Sequence, residues 1–382
     1  MAVAVICEFN PFHNGHQYLL KTAQKITGEP VVAIMSGSFT QRGEVAVCSK
    51  WERAHAALNN GADLVAELPA IYAVANAERF ARGGVSIVKA FSDVTYLAFG
   101  CETDDLASLT AASEATELDE VNAVVAEQMK NGAYYPKALE NAVRSVCGDT
   151  VADVLTSPNN ILAVEYIRAL KGSGIKPLPV KRVGVSHDSE ALSGEFASAS
   201  QLRKMLREGE SIDPFVPCVP ERITYPENLE RAVLFKLRSM DVDDFRALPE
   251  VGEGLENRLV QAISNNNSLE EILSAAKTKR YTHARLRRII ACAALGISEE
   301  LQSRSARYVR VLGFTERGEA MLKNCEFEVV TSPAISLRSN SENSVFLRKD
   351  ILATDLSALA YDGIQACGKD YLTKIIRENR AK

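Results

Sequence analysis

The chain has 382 residues, 46% of them hydrophobic and 24% charged, with a formal net charge of −5. It is long enough for two domains with cores of their own, and it is no polycation, so a nucleic-acid partner would need a local basic face. No apolar run is long enough to cross a bilayer, the N-terminus enters a strand without a basic leader, and the eight scattered cysteines share no zinc or redox spacing, so a cytoplasmic protein with reduced thiols is expected.

The first element is the apolar run Ala4-Val5-Ile6, a strand of the doubly covered kind found in parallel sheets. Asn10-Pro11 and Gly15 break it, and from His16 onward Tyr18, Leu19, Leu20 and Ala23 recur at helical spacing. His13 and His16 therefore belong to a turn and helix start at the carboxyl end of strand one, where open α/β sheets bind ligands. A helix N-terminus attracts phosphate, and imidazoles beside it can donate to phosphoryl oxygens in a transfer at an α-phosphate. The plain alternatives are that they cap the helix or bind a metal, but no carboxylate lies between them and we identify no metal ligand set.

Val31–Met35 is the next buried strand, opening into Ser36-Gly37-Ser38 and the polar loop Phe39-Thr40-Gln41-Arg42-Gly43-Glu44. The loop is either a solvated connection or a phosphate loop in which Arg42 or Lys50 meets a triphosphate. A helix over Lys50–Asn60 precedes the strand-like stretch Ala62–Pro69, whose Asp63 and Glu67 either order a base or magnesium or simply end a strand in solvent. Ala75–Ala90 reads as helix and Val94–Gly100 as strand, with Gly100 allowing close backbone approach. From Asp104 to Val146 the chain is a helical insertion.

Ser157-Pro158-Asn159-Asn160 starts a helix running through Leu170. One asparagine suffices for a cap, leaving the other to bond adenine or ribose. Pro179–Gly184 reads as the last strand, with Arg182 reaching toward phosphates and His187-Asp188 in the loop beyond. Ser198 and Ser200 then open a helix carrying Arg203, either as a plain cap or as a phosphate-binding helix start. The prolines from Ser211 to Tyr225 mark a linker. Beyond it Glu230–Arg238, Leu255–Ile263, Leu269–Ala276, Thr282–Leu295 and Arg304–Val311 have helical period. Lys277, Lys279, Arg280, Arg285, Arg287 and Arg288 crowd a stretch of twelve residues with Tyr281 and His283 among them. This is either a solvated helix face or a surface for phosphates and stacked bases, extended by Tyr361, Lys374, Arg377, Arg380 and Lys382.

Asn10-Pro11-Phe12-His13-Asn14-Gly15-His16 resembles the H-x-G-H signature of the nucleotidylyltransferase superfamily. With Met35–Glu44, Phe99-Gly100-Cys101-Glu102, Ser157–Leu162, Lys181-Arg182-Val183-Gly184 and Lys277–Thr282 in order, the chain is more closely similar to the bacterial tRNA(Met) cytidine acetate ligase family. That resemblance implies a Rossmann-like α/β domain over residues 1–212, with a helical insertion at 104–150, followed by a mostly α-helical tRNA-binding domain over 213–382. It implies activation of acetate by ATP as acetyl-adenylate and acetylation of N4 of the wobble cytidine of elongator tRNA(Met).

For the site, the resemblance makes His13, His16 and Lys50 catalytic. It assigns Cys7, Glu8, Phe9, Asn10, Pro11, Phe12, Asn14, Gly15, Gly100, Asn159, Asn160, Arg182, Val183, Ser198 and Ser200 to the nucleotide. The phosphate-binding helix departs from the family pattern, with Ala199-Ser200 in place of Ser-Thr. Lys277, Lys279, Arg280, Arg285, Arg287 and Arg288 would meet RNA. Mg2+ is expected with ATP, without a protein ligand set, and neither a membrane nor a protein partner is implied. The alternatives are an adenylyltransferase for a small phosphorylated metabolite, which would need no basic helical domain, and an RNA-binding protein without turnover.

Overall fold

The computed structural model describes residues 1–183 and 194–379. The loop residues His187 and Asp188, and Arg380 and Lys382 at the basic end, lie outside the described residues. Five parallel strands form the centre: β1 (Ala2–Cys7), β2 (Val31–Ser36), β3 (Leu64–Leu68), β4 (Val94–Cys101) and β5 (Lys176–Lys181), in spatial order β5-β4-β1-β2-β3. In β1 the pleat sends Ala2, Ala4 and Ile6 into one apolar layer and Val3, Val5 and Cys7 into another, so both faces are covered. The chain leaves β1 toward β2 on one side and later places β4 on the other, which opens a crevice at the carboxyl ends.

The helices follow the sequence pattern closely. They are α1 (Asn14–Thr27), α2 (Lys50–Asn59), α3 (Ala70–Ala73), α4 (Ala77–Lys89), the insertion α5 (Leu106–Ala115), α6 (Asp119–Lys130), α7 (Tyr135–Cys147) and α8 (Asp149–Val154), then α9 (Pro158–Leu170) and α10 (Ala199–Glu208). After the proline-rich segment come α11 (Glu230–Arg238), α12 (Val242–Arg246), α13 (Leu255–Asn265), α14 (Leu269–Ala276) and α15 (His283–Leu295). Gly28 ends α1 in the left-handed conformation (φ 72°) and Thr282 caps α15.

Two expectations need correcting. Arg304–Val311 is not helix: Tyr308–Thr315 is strand β6, antiparallel to β3, and β7 (Glu328–Val330) and β8 (Ile376–Glu378) pair with it in parallel. Nor is β5 the last strand of the sheet. Tyr308, Val309, Val311 and Phe314 are β-branched or aromatic, and all of β6 is buried, which favours strand over the helical reading of so short a run. The C-terminal part thus extends the sheet beyond β3 as well as carrying helices.

Candidate active site

The turn after β1 is built around its own histidines. His13 occupies the N-cap of α1 in extended conformation, and its Nδ1 accepts the Gly15 N–H at 3.1 Å. The backbone N–H of His13 in turn donates to His16 Nδ1 at 3.3 Å, closing a capping box with imidazoles in place of the usual hydroxyl and carboxylate. Because each Nδ1 accepts, each neutral ring carries its proton on Nε2, the tautomer that can donate to an anion. The rings stack at 3.6 Å between centroids, tilted by 23°, and Phe9 meets the edge of His16 at 5.0 Å. Phe9 is fully buried with φ 49°, a left-handed backbone that a bulky residue tolerates only where its surroundings impose it. Gly15 is required by geometry: a Cβ there would lie 2.9 Å from His13 Cε1.

A second layer fixes this turn. The Arg53 guanidinium, buried beneath it, donates to the carbonyls of Glu8 at 2.6 Å and Ser36 at 2.9 Å and to that of Gly37, tying the loops after β1 and β2 together. Burial holds its pKa below the ordinary arginine value, offset in part by nearby cysteine and glutamate groups. Glu8 accepts the Gln41 N–H at 2.6 Å, and burial raises its carboxyl. Arg203 of α10 donates to the Asn10 carbonyl at 2.9 Å, and Asn10 Oδ1 accepts the Val47 N–H at 2.7 Å. Burial also pushes the Cys7 thiol well up, so it supplies no thiolate at neutral pH.

Above the turn lies a cleft of two connected lobes. The inner, of about 140 Å³, is bounded by the turn, by Gly100 at the end of β4, by Asn159 and by Arg182 and Val183 after β5. The outer, of about 840 Å³, shares Cys7, Glu8, His13, His16, Asn159 and Arg182 with the first and reaches Phe9, Asn10, Arg42, Ser200 and Arg203. The insertion and the start of α15 line its far side.

The two asparagines separate cleanly. Asn160 is buried, and its Oδ1 caps the end of β4 by accepting from the N–H groups of Glu102 (2.9 Å) and Thr103 (3.3 Å). Asn159 faces the cleft, oriented by Glu102 at 2.6 Å. Other expected contacts prove structural. Phe12 is core, Asn14 donates to the carbonyls of Glu195 (2.9 Å) and Pro214 (3.0 Å), and Ser198 is the buried N-cap of α10. Pro11 follows a cis peptide bond and is absent from the cleft wall. A Cβ on Gly100 would meet only Arg182 Cγ, at an ordinary 3.6 Å, so no close backbone approach requires glycine there.

Lys50 must be withdrawn from the phosphate site. It is fully buried away from the cleft, with Nζ bonded to Glu67 at 2.7 Å and Asp370 at 2.9 Å, and Arg310 joins Asp370 from β6 at 3.5 Å. Burial pulls the Lys50 ammonium down, yet the two carboxylates more than offset this and leave its pKa raised. Glu67 is thereby removed as a magnesium or base ligand, and it lies against Gly37, where a Cβ would collide with its carboxylate. Asp63 is committed as well, to the Val31 N–H at 2.9 Å and the Thr315 hydroxyl at 3.1 Å. Among the described residues no group of three or more His, Cys, Asp or Glu could hold a metal ion.

The basic run divides. Lys277 and Lys279 are exposed. Arg288 forms a two-point pair with Glu250 at 2.7 Å, Arg287 meets Glu44 at 2.8 Å, and Arg280 pairs with Glu253 and donates to the Met129 carbonyl at 3.1 Å. Arg285 lies over the Tyr281 ring and donates to the Glu250 carbonyl. Tyr281 and Tyr361 are buried, so neither offers a stacking face to RNA. Arg280, Arg285 and Arg288 instead line the outer lobe. The sequence reading missed Tyr134, Tyr135, Glu165 and Glu250 on that wall, because they come from an insertion, a helix face and a loop that carry no local motif.

A parallel sheet with paired imidazoles at the helix start above its switch point defines a nucleotide-transferring protein, and the sequence profile of the HIGH Nucleotidyl Transferase family matches residues 1–370. The chain belongs to that family. Within it, the chain is 35% identical over 400 residues to the tRNA(Met) cytidine acetate ligase of Thermoanaerobacter sp. strain X514, covering 98% of this chain and 99% of that one. It is 37% identical over 386 residues to the ligase of the same name from Caldicellulosiruptor saccharolyticus, covering 94% of each chain. The fold matches crystal structures of Thermotoga maritima TmcAL at 30% identity over the full length of both chains, with TM-scores of 0.90 for the apo form and 0.88 for the form bound with alpha-thio ATP.

Proposed function

We propose that this protein is an ATP-dependent tRNA(Met) cytidine acetate ligase, and what carries the reading is the His13–Gly15–His16 turn at the switch point of a chain that follows the named ligases end to end. In the first half-reaction an acetate oxygen attacks the α-phosphorus of ATP. The new P–O bond forms as the bond to the β-phosphate oxygen breaks, and pyrophosphate leaves with the electron pair. Nε2–H groups of His13 and His16, at the positive end of the α1 dipole, meet the charge that develops on the phosphoryl oxygens. Asn159 and Arg182 line both lobes and Ser200 and Arg203 the outer one, which supports assigning Asn159 to the nucleoside and Arg182, Ser200 and Arg203 to the departing phosphates. Mg2+ arrives with the triphosphate.

In the second half-reaction N4 of the wobble cytidine attacks the acetyl carbonyl carbon. AMP leaves with the electron pair of the broken C–O bond, and the nitrogen loses a proton. Exposed Lys277 and Lys279 are the side chains of the basic run best placed for RNA phosphates. A tRNA substrate puts the enzyme in the cytoplasm, and no helix among the described residues is long and apolar enough to cross a membrane.

The test is exchange of labelled pyrophosphate into ATP with acetate, with other small carboxylates and with phosphorylated metabolites. Acetate-dependent exchange followed by an acetyl mass shift on a tRNA nucleoside is expected. Exchange supported only by a phosphorylated metabolite would replace this reading with a metabolite adenylyltransferase.

A further inference from the structure

The outer lobe, about 840 Å³, is far larger than acetate requires, and its distant wall is built from segments that the nucleotide site does not use. Tyr134 and Tyr135, at the junction of α6 and α7, are 39% and 44% exposed, unusual for adjacent aromatics at a cleft rim. On the same wall α9 presents Glu165, only 7% exposed. Arg168 donates to its Oε2 at 3.2 Å, and Oε1 accepts no hydrogen bond from the described residues. Arg280 spans from the loop before α15 to the Met129 carbonyl of α6 at 3.1 Å, joining the helical region to the insertion across the lobe.

We infer that the wall of this lobe formed by Tyr134, Tyr135 and Glu165 is the acceptor subsite, which takes a single cytosine nucleotide turned out of its RNA loop, with the base stacked on Tyr134 or Tyr135 and its N4–H donating to Glu165. The inference rests on the proposed ligase reading and assigns its second substrate a place. Three properties carry it. The lobe shares Cys7, Glu8, His13 and His16 with the nucleotide lobe, so a base in it reaches an acyl group formed at the turn. Exposed tyrosines supply the π-faces on which unpaired bases stack. A buried carboxyl group with an open oxygen accepts from the exocyclic amine of cytosine, a donor that uracil lacks, so it reads the base that the chemistry needs. Extrusion of the base is how enzymes reach an atom otherwise stacked inside a nucleic acid.

The experiment measures both half-reactions on the full-length chain carrying Tyr134→Ala, Tyr135→Ala, Tyr135→Phe or Glu165→Gln. Stacking removed at one tyrosine should lower kcat/KM for tRNA acetylation by roughly ten- to a hundredfold, at least about tenfold beyond any fall in acetate-dependent pyrophosphate exchange. Tyr135→Phe should restore most of what Tyr135→Ala loses. A transcript with uridine at the acceptor position should inhibit Glu165→Gln more strongly than the wild type, because the amide NH2 donates to uracil O4. Equal losses in both half-reactions would return the lobe to the ATP site, and undiminished acetylation in all the alanine variants would remove the base from it; either overturns the inference. A wild-type protein without acetate-dependent exchange, even with tRNA present, would overturn the ligase reading itself, an outcome distinct from either of these.

Discussion

The imidazoles of His13 and His16 lie stacked, centroids 3.6 Å apart, and each accepts a backbone N–H of the same turn on Nδ1. Capping and the proposed chemistry therefore use opposite nitrogens of one ring, and substitution can separate them. His13→Asn keeps an N-cap acceptor but removes the Nε2 donor, so it should fold with a near-native Tm while pyrophosphate exchange falls at least a hundredfold. His13→Ala should lose the same activity and about 1 kcal/mol of stability as well. Exchange near wild-type rates in His13→Asn would make the histidine a cap alone.

Gly15→Ala places a methyl 2.9 Å from His13 Cε1. Alanine suits the helix better than glycine, so stability should change little. The ring must move, however, and a shift of a few tenths of an ångström at a phosphoryl-transfer site lowers kcat more than it raises KM. We expect a loss of kcat of at least tenfold; calorimetry alongside steady-state kinetics distinguishes this from unfolding.

Lys50→Met removes the ammonium between the Glu67 and Asp370 carboxylates and leaves Glu67 without its ion-pair partner and Asp370 with Arg310 alone. Removing one partner of a buried pair costs about 3–5 kcal/mol. The variant should show a much lower Tm, yet at low temperature the folded fraction should keep its KM for ATP. A normal Tm with a tenfold rise in KM would restore Lys50 to the phosphate site.

Burial raises the Glu165 carboxyl to about 7, with Arg168 acting against the shift. Below pH 4.5 native and unfolded chains both hold this proton. Between 4.5 and 7 the native state keeps a proton that the unfolded state has released, so stability falls as pH rises, by up to about 1.4 kcal/mol per unit, and levels off above 7. Glu165→Gln should therefore match the wild type at pH 4.5 and exceed it by about 3 kcal/mol at pH 8. Denaturation curves at the two pH values check this, and a gap equal at both would remove the raised carboxyl.

Exposed and paired cations of the basic run should behave differently. Lys277→Ala with Lys279→Ala should leave Tm alone, weaken tRNA binding and reduce the slope of log K against log salt by about 0.7–0.9 for each phosphate that the variant no longer neutralises. Arg288→Ala instead strands the Glu250 carboxylate and should lower Tm. An unchanged salt slope in the lysine variant would place RNA on another face.

What the sequence determined was local. A five-strand apolar pattern, the Asn-Pro break, Gly15 and the spacing of His13 and His16 define a strand, a turn and a helix start, because each depends on backbone sterics and periodicity within a few residues. Tertiary structure decided which polar groups remain available. Asn159 and Asn160 are neighbours in sequence, but only Asn160 meets the N–H groups of Glu102 and Thr103, and only the fold brings β4 there. Lys50 read as a phosphate ligand until Glu67 and, 320 residues away, Asp370 engaged its ammonium. Strand β6 resembled a helix because its identity depends on pairing with β3 across a sequence gap that no local pattern spans. The outer lobe brings together Tyr134, Glu165 and Arg280, whose convergence is a property of packing between distant segments rather than of any motif.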